Sequence, residues 1–322
     1  MRAPPAVSEC KNPFAPTSLS ERLAVLSQIG RTSFRVLRRV DQVRYVRGLF
    51  AELADQGVQP KVHSYLGLYM KACLGDVYHQ LTGSSFGRTR FVMHSMRILS
   101  ILSIFDHYID EAGLSLGERM SVFEDLEYAF LKGERRQSRF QQTARATEVT
   151  CEFHAEISSM PGAEWYFAQC GELLFPPAKE EAFGTPSVEI AELIGRGTLV
   201  AIGGILHAHD PQLPRRHIEA YGNFGAALNL IDDVADFEHD QAEGTRTSIT
   251  VASDVEATSR YALARARALF SACEENLRDD EVIPYMALAG LVRAKWPSNL
   301  AYGEPSTSHS AAQDPTSEDL RG

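Results

Sequence analysis

The sequence predicts an all-α protein, and two observations carry that prediction. Apolar residues recur at positions i, i+3, i+4 and i+7 in one segment after another, and most of these segments end at a glycine. No segment shows the period-two alternation that is typical of a half-buried strand, and no Asn-Gly hairpin turn occurs. We therefore expect a single-domain bundle of about ten helices.

The helical period recurs along most of the chain. The segments that show it are 20–30, 33–57, 61–83, 89–113, 117–133, 187–210, 214–240, 255–277 and 281–296. The stretch FPPAKEEAFGTPS at 175–187 is expected to be a short break between helices. Residues 1–16 and 301–322 lack apolar periodicity and are expected to be disordered, so that the helical domain spans 17–300.

Composition restricts the class of protein. With 322 residues, 44% hydrophobic and 23% charged, the chain resembles an ordinary soluble globular protein. A net charge of −10 without a basic stripe argues against a nucleic-acid partner. Five scattered cysteines without a CxxC pair predict a reduced, cytoplasmic protein. We expect neither a signal peptide nor a membrane span, because the apolar runs are too short.

Two clusters of acidic residues each follow an apolar helix. In the first, FDHYIDEAG, Asp106 and Asp110 are four residues apart, so both carboxylates lie on one helix face. In the second, ALNLIDDVADFEHDQAEG at 227–244, an aspartate recurs at every fourth position. The members of the second cluster are Asp232, Asp233, Asp236, Glu238 and Asp240, of which 232, 236 and 240 share a face.

Helix stability does not explain these clusters. Aspartate is a poor helix former, and like charges one turn apart repel each other. Short carboxylates suit Mg²⁺, which takes oxygen ligands and is typically held by one or two carboxylates together with substrate phosphates. Two facing helices that each offer carboxylates could hold Mg²⁺, with a diphosphate completing the coordination. The spacing alone leaves a second interpretation open, in which both clusters are solvated helix ends.

The segment YGNFGAALNLIDDVAD at 221–236 resembles the second aspartate-rich region of trans-isoprenyl diphosphate synthases, YGxxxGxAFQxxDDxxD. Asn229 stands in place of the family's Gln, and Leu228 in place of its Phe. Upstream, GRGTLVAIG resembles the Lys-Thr segment of the family, with Arg196 in place of the Lys, and DHYID resembles the first DDxxD motif, with His107 at its middle position. Gly225, Asp232, Asp233 and Asp236 match in register, and Tyr221 and Gly222 match the opening Tyr-Gly of the pattern with one residue fewer before Gly225. In the first motif, Asp106 and Asp110 match.

The resemblance implies the class I terpenoid-synthase fold, a helical bundle with a central apolar cavity and with Mg²⁺ and diphosphate held between two aspartate-bearing helices. It implies three Mg²⁺ ions that draw off the diphosphate of a prenyl substrate and leave an allylic carbocation. The expected cationic contacts to diphosphate are Arg196 and Arg246, and Arg196 is also expected to be catalytic. The expected metal ligands are Asp106, Asp110, Asp232, Asp236 and Asp240, of which the first four are also expected to be catalytic.

Departures from the family pattern favour a terpene cyclase. Chain-elongating members carry Arg-Arg-Gly after the first motif, whereas only Arg119 follows it here, and their Gly-Lys-x-x-Arg segment has only GRTR at 87–90 as a counterpart. The site for a second diphosphate is therefore expected to be lost. Asp232, Asp236 and Asp240 also have the i, i+4, i+8 spacing of the metal motif of cyclases.

The cavity that the resemblance implies would be lined by apolar and aromatic residues. Leu102 and Ile101 hold the positions that limit chain length in the family, and since neither is aromatic we expect a C15 or C20 substrate. Phe105, Leu102 and Asn229 are the expected substrate-binding residues besides the arginines. Further candidates for the wall, each also explicable as core, are Tyr108, Trp165, Tyr166, Phe167 and Phe224.

Three other functions stay open at this point. A prenyltransferase would need a second diphosphate site, built for example from Arg88, Arg90 and Arg97. An HD-type metal phosphohydrolase is suggested by HAHD at 207–210, although His207 and His209 would point to opposite sides of a helix. A non-catalytic homologue acting as a partner subunit would fit the loss of the middle Asp at His107. The family commonly forms dimers, and the residues themselves leave the oligomeric state open.

Overall fold

The structure is a computed structural model, which describes residues 86–106, 108–109, 113–136, 144–275 and 277, together with isolated positions between 20 and 27. Of these residues 79% are helical and none is in a strand, which confirms the all-α prediction. None of the described helices combines the length and the apolar character needed to cross a bilayer. The expected helices at 33–57, 61–83 and 281–296, and both expected disordered ends, lie outside the described residues.

Ten helices follow one another in the described part of the chain. They are α1 (Phe86–Asp106), α2 (Leu116–Lys132), α3 (Ala144–Ser158), α4 (Ala163–Leu173), α5 (Phe175–Phe183), α6 (Val188–Gly203), α7 (Ile205–His209), α8 (Arg216–Ala235), α9 (Phe237–Glu243) and α10 (Val255–Glu275).

Helix α2 agrees with the expected segment 117–133 because strong local signals fix both of its ends. Ser115 is the N-cap, and Glu118 closes a capping box by accepting the Ser115 backbone N–H at 2.8 Å. Gly133 ends the helix with φ 67, a left-handed conformation that glycine adopts without strain.

Three boundary expectations are wrong. The expected break at 175–187 contains α5, because its prolines lie in the first helical turn, where their missing N–H groups have no intrahelical acceptor. The expected single helix 187–210 is interrupted between α6 and α7 at Gly204, beside a second glycine. The expected single helix 214–240 is interrupted at Asp236, between α8 and α9.

The periodicity also failed to reveal α3 and α4. The buried face of α3 includes Thr147 and Thr150 among its apolar residues, so the apolar period in the sequence is incomplete. Thr150 is accommodated because its hydroxyl donates to the carbonyl of Ala146 at 2.8 Å. In α4 only Tyr166 and Cys170 are buried, which is too few positions to show a period.

Aromatic rings fill the core around α2, α4 and α5. Phe130 is fully buried and packs against Phe153, with ring centroids 5.7 Å apart, and against Phe175 at 5.3 Å. Tyr166 is fully buried as well, and its hydroxyl is satisfied by donating to the carbonyl of Ala201 at 2.8 Å.

Helices α6 and α8 pack at much closer range. A Cβ atom added at Gly225 would lie less than 3.0 Å from the carbonyl oxygen of Gly195, and the reverse is also true. Gly203 packs in the same way on the ring of Tyr221. Because later residues of α6 meet earlier residues of α8, the two helices are antiparallel and touch backbone to backbone.

Helix α10 covers the other side of this pair. Phe224 of α8 packs against Phe270 with ring centroids 6.1 Å apart. At the rim, Arg265 donates to both carboxylate oxygens of Glu192 on α6, with nitrogen–oxygen distances of 2.7 and 3.0 Å.

Candidate functional site

The direction of α1 can be established from two contacts. His94, in its first half, meets His209, the last residue of the short helix α7 that follows the C-terminal end of α6. Phe105, near the C-terminal end of α1, packs against Phe175 with ring centroids 5.7 Å apart. Phe175 lies beside the C-terminal end of α4, and Gly197 of α6 contacts that same end. Helix α1 therefore runs antiparallel to α6.

Helices α1 and α8 consequently run in the same direction, since both are antiparallel to α6. Their C-terminal ends lie toward one end of the bundle. Helix α1 ends at Asp106, and α8 ends at Ala235 within the second acidic cluster. The fold thus directs both acid-bearing helix ends toward the same end of the molecule.

The aspartates of the second cluster keep their helical spacing through the break between α8 and α9. The backbone N–H of Asp236 donates to the carbonyl of Asp232 at 2.8 Å, and that of Asp240 donates to the carbonyl of Asp236 at 2.9 Å. The i, i+4, i+8 pattern therefore holds, although α8 formally ends before Asp236. Asp232 is exposed, whereas Asp236 and Asp240 are half-buried.

Asp233 differs from its neighbour Asp232 because it turns inward. Its carboxylate accepts a hydrogen bond of 2.8 Å from the hydroxyl of Ser248, which is itself buried. Burial, reinforced by the charges of Asp232 and Asp240, raises the pKa of Asp233 to about 7, and the Ser248 hydrogen bond opposes this rise. The two adjacent aspartates therefore lie in opposite environments.

Ser248 belongs to a tight segment that follows α9. The sequence indicated Arg246 of this segment as a site residue, but not Ser248. Gly244 opens it with φ 75, and the N–H of Thr245 donates to the carbonyl of Asp240 at 2.9 Å. Thr250 closes it by donating its hydroxyl to the carbonyl of Thr245 at 2.9 Å. The only sequence signal is the run of hydroxyl residues in TRTSIT.

Arg246 lies in this same segment, so the anchor at Ser248 keeps it beside the second acidic cluster. Arg246 is exposed, and its guanidinium donates to the carbonyl of Gly184 at 3.4 Å. The observed partner of the Arg246 side chain is therefore the end of α5, and its expected contact to diphosphate stays a prediction.

Arg196 lies away from the second acidic cluster. Its guanidinium donates to Asn223 at 2.8 Å and is 3.8 Å from Glu192, the residue that also binds Arg265. Asn223 precedes Asp232 by nine residues, which is roughly 13 Å along the axis of α8. The structure therefore does not bring Arg196 together with the aspartates.

Three of the residues expected to bind substrate make packing contacts. Asn229 donates to the carbonyl of Ala191 at 3.1 Å and so links α8 to α6. Phe105 is buried in the aromatic core, with its ring 5.7 Å from that of Phe123, and Leu102 is half-buried against the same core.

The aromatic residues expected at the cavity wall lie in or against the core. Tyr166, Phe224 and Tyr108 are buried, and burial raises the pKa of the Tyr108 hydroxyl. Trp165 and Phe167 are half-buried and pack against the core.

The first acidic cluster is only partly described. Asp106 is the last residue of α1, and its side chain lies outside the described residues, as do Asp110, His107 and Glu111. The intervening residues Tyr108 and Ile109 form a π-helical turn. Arg119 donates to the carbonyl of Ile109 at 2.9 Å, so the single arginine after this motif anchors the backbone next to Asp110.

The donor chemistry of the second cluster fits Mg²⁺, because Asp232, Asp236 and Asp240 offer carboxylate oxygens at successive helical turns. Among the residues that the structure describes, no three His, Cys, Asp or Glu side chains are arranged to hold a metal ion. A complete coordination sphere would therefore need further oxygens, from the first cluster, from water or from a phosphate.

The residues behind the rival functions have other contacts. Arg97 forms ion pairs with Glu152, at 2.8 Å, and with Glu156. His207 is buried beside Trp165, whereas His209 meets His94. The side chains of Arg88 and Arg90 lie outside the described residues.

Comparisons of the chain with protein-family models, with curated proteins and with solved structures find no match.

Proposed function

We propose that this chain is a class I terpene synthase, which ionises a linear C15 or C20 prenyl diphosphate with Mg²⁺ and cyclises the resulting carbocation. The observation that carries the proposal is the second acidic cluster. Its aspartates recur at successive turns at the end of a helix whose glycines fit the family pattern, at the end of the bundle toward which α1 also runs.

The glycine contacts give the motif a physical meaning. The family pattern has glycine at the position of Gly225 and another directly after its opening Tyr, as Gly222 follows Tyr221 here. Both glycines pack against α6, Gly222 beside Arg196 and Gly225 on Gly195. A motif that holds α8 in place and then presents carboxylates is coherent as a binding element. A solvated acidic face would need no such fixed support.

The three aspartates on the repeating face of the second cluster and the two candidate arginines have roles in this proposal. Asp232, Asp236 and Asp240 would hold Mg²⁺, which when bound neutralises the charge of the diphosphate leaving group. Arg246 would donate to the diphosphate oxygens from the segment anchored by Ser248. Arg196 would have to leave Asn223 and Glu192 to make a similar contact, so we assign the principal cationic role to Arg246.

The experiment is an assay of the full chain with Mg²⁺ and either farnesyl or geranylgeranyl diphosphate. We expect release of inorganic diphosphate and a terpene hydrocarbon or alcohol, detected by mass spectrometry of the extract. The Asp232→Asn and Asp236→Asn variants are each expected to lose about 100-fold in rate. Glu238→Gln is the matched control, because it removes an exposed acid from the same segment but off the repeating face.

Other outcomes would replace this function. Absence of diphosphate release from both substrates would refute the proposal. A longer linear diphosphate, formed when isopentenyl diphosphate is added, would show a prenyltransferase instead. Unchanged Mg²⁺-dependent binding of a diphosphate analogue after Asp232→Asn combined with Asp106→Asn would indicate the partner-subunit role.

A further inference from the structure

A second cluster of titratable side chains lies along α1, away from the acidic residues at its C-terminal end. His94 of α1 and His209 of α7 approach each other with Nδ1 of the first 3.2 Å from Nε2 of the second, although 115 residues separate them. Glu156 of α3 lies on the opposite edge of the His94 ring, 3.6 Å from Nε2. Three helices therefore contribute to one line of polar groups.

The separation of the two imidazole nitrogens suits a bound metal ion. Zn²⁺ binds imidazole nitrogen at about 2.0–2.1 Å in tetrahedral geometry, which places two ligand nitrogens about 3.3–3.4 Å apart. The His94–His209 pair therefore needs to widen by only about 0.2 Å to chelate Zn²⁺. Chelation would also require each ring to turn its lone pair toward the ion, and the proton now shared between the two nitrogens would move to another ring nitrogen or be released.

Glu156 gives His94 the arrangement of a metal ligand. A ligating histidine generally donates its other ring N–H to a carboxylate, which fixes the tautomer and makes the ligating nitrogen more basic. Here the carboxylate lies 3.6 Å from Nε2, which is an ion-pair contact and longer than a hydrogen bond; it favours the tautomer with the proton on Nε2 and the lone pair of Nδ1 toward His209.

The surroundings contain an ion-pair network. Glu156, which lies beside His94, is also bound by Arg97, and Arg97 in turn binds Glu152. The side chain of His94 is only 12% exposed, whereas that of Glu156 is 44% exposed, so the pair is sheltered and yet lies near solvent.

We propose that His94 and His209, supported by Glu156, form a binding site for a borderline divalent cation of the Zn²⁺ type. The site has two protein ligands and leaves the remaining positions to water. It joins α1 to α7, and it is chemically distinct from the aspartate cluster, whose oxygen donors suit Mg²⁺.

The test is a Zn²⁺ titration of the full chain against a chromophoric chelator, in excess Mg²⁺ so that the carboxylate sites are saturated. We expect one equivalent of Zn²⁺ that is lost in both His94→Gln and His209→Gln. Glu156→Gln is expected to retain the site with an affinity lower by about 10–100-fold. His154→Gln is the control, because this nearby half-buried histidine uses its Nδ1 on the carbonyl of Phe130.

A second measurement covers the case in which the glutamine variants fail to fold. In the wild-type chain, Zn²⁺ should slow the reaction of diethyl pyrocarbonate with His94 and His209, but not with His154, as followed by mass spectrometry of peptides. An unchanged Zn²⁺ stoichiometry in folded variants, or an equal reaction rate with and without Zn²⁺, would overturn the proposal. Neither result depends on the terpene synthase activity.

Discussion

Two regions of the bundle are held together by different kinds of contact. Between α6 and α8 the contact is backbone to backbone, because Gly195 and Gly225 face each other without side chains. Around α2 and α5 it is ring to ring, and Phe130 alone packs against four other aromatic side chains. Ring packing can adjust to a change of shape, whereas a backbone contact accepts no added atom. The helix that carries Asp232 is therefore fixed more tightly than the helices around Phe130.

The largest expected effect concerns Asp233, whose half-buried carboxylate is held against the chain by Ser248. Its pKa is about 7 in the folded chain and 3.8 as the ordinary value, so the folded state binds the proton more tightly. The stabilisation is fully present below pH 3.8 and is lost as the pH rises through 7, by roughly 4 kcal/mol in the free energy of unfolding. Asp233→Asn should abolish this slope in urea denaturation followed between pH 4 and pH 8.

The comparison is made in EDTA, so that no divalent cation alters the titration. The matched control is Glu238→Gln, an exposed acid that should leave the slope unchanged. A wild-type slope that persists in Asp233→Asn would show that α8 lets this carboxylate reach water.

The next effect tests the backbone contact itself. Gly225→Ala places a methyl group less than 3.0 Å from the carbonyl of Gly195, and neither backbone can move independently of its helix. We expect a loss of about 3 kcal/mol in the free energy of unfolding, measured by urea denaturation. Gly117→Ala is the control, because a Cβ there meets nothing within 4 Å. A loss in Gly225→Ala no larger than in this control would contradict the backbone contact.

The smallest effect belongs to the aromatic region. Phe130→Leu keeps an apolar side chain in a fully buried site whose neighbours can repack. The expected loss is about 1.5 kcal/mol in the same urea assay, half of that for Gly225→Ala. If Phe130→Leu costs more than Gly225→Ala, the contrast between the two regions is reversed.

The fold class could be predicted from the sequence, but some helices could not. Periodicity located α2 and α10 closely, because each presents a continuous apolar face. It missed α3, because Thr147 and Thr150 occupy buried positions of that helix. A threonine whose hydroxyl is hydrogen-bonded can be buried, but it still counts as a polar residue in the sequence pattern. It also treated prolines as a break where they begin α5.

In the candidate site, too, some features could be predicted from the sequence and others could not. Local spacing predicted the recurring aspartates, because hydrogen bonds between consecutive turns depend only on neighbouring residues. Local spacing could not predict contacts between residues that are far apart in the sequence. The bond from Ser248 to Asp233 spans a turn of the chain, and the pairing of Arg196 with Asn223 links two helices. No spacing rule distinguishes the inward Asp233 from the outward Asp232.

The glycine contact also determines where the acidic end of the molecule can move. If α8 slid along α6 by one residue, the methyl group of Ala226 would replace Gly225 opposite the carbonyl of Gly195, and the helices would have to separate. The register of α8 is therefore locked as far as Ala235. Any displacement of the later aspartates must begin at Asp236, where the helix is interrupted, and it would first have to break the hydrogen bond by which Ser248 ties the segment after α9 to Asp233 on α8.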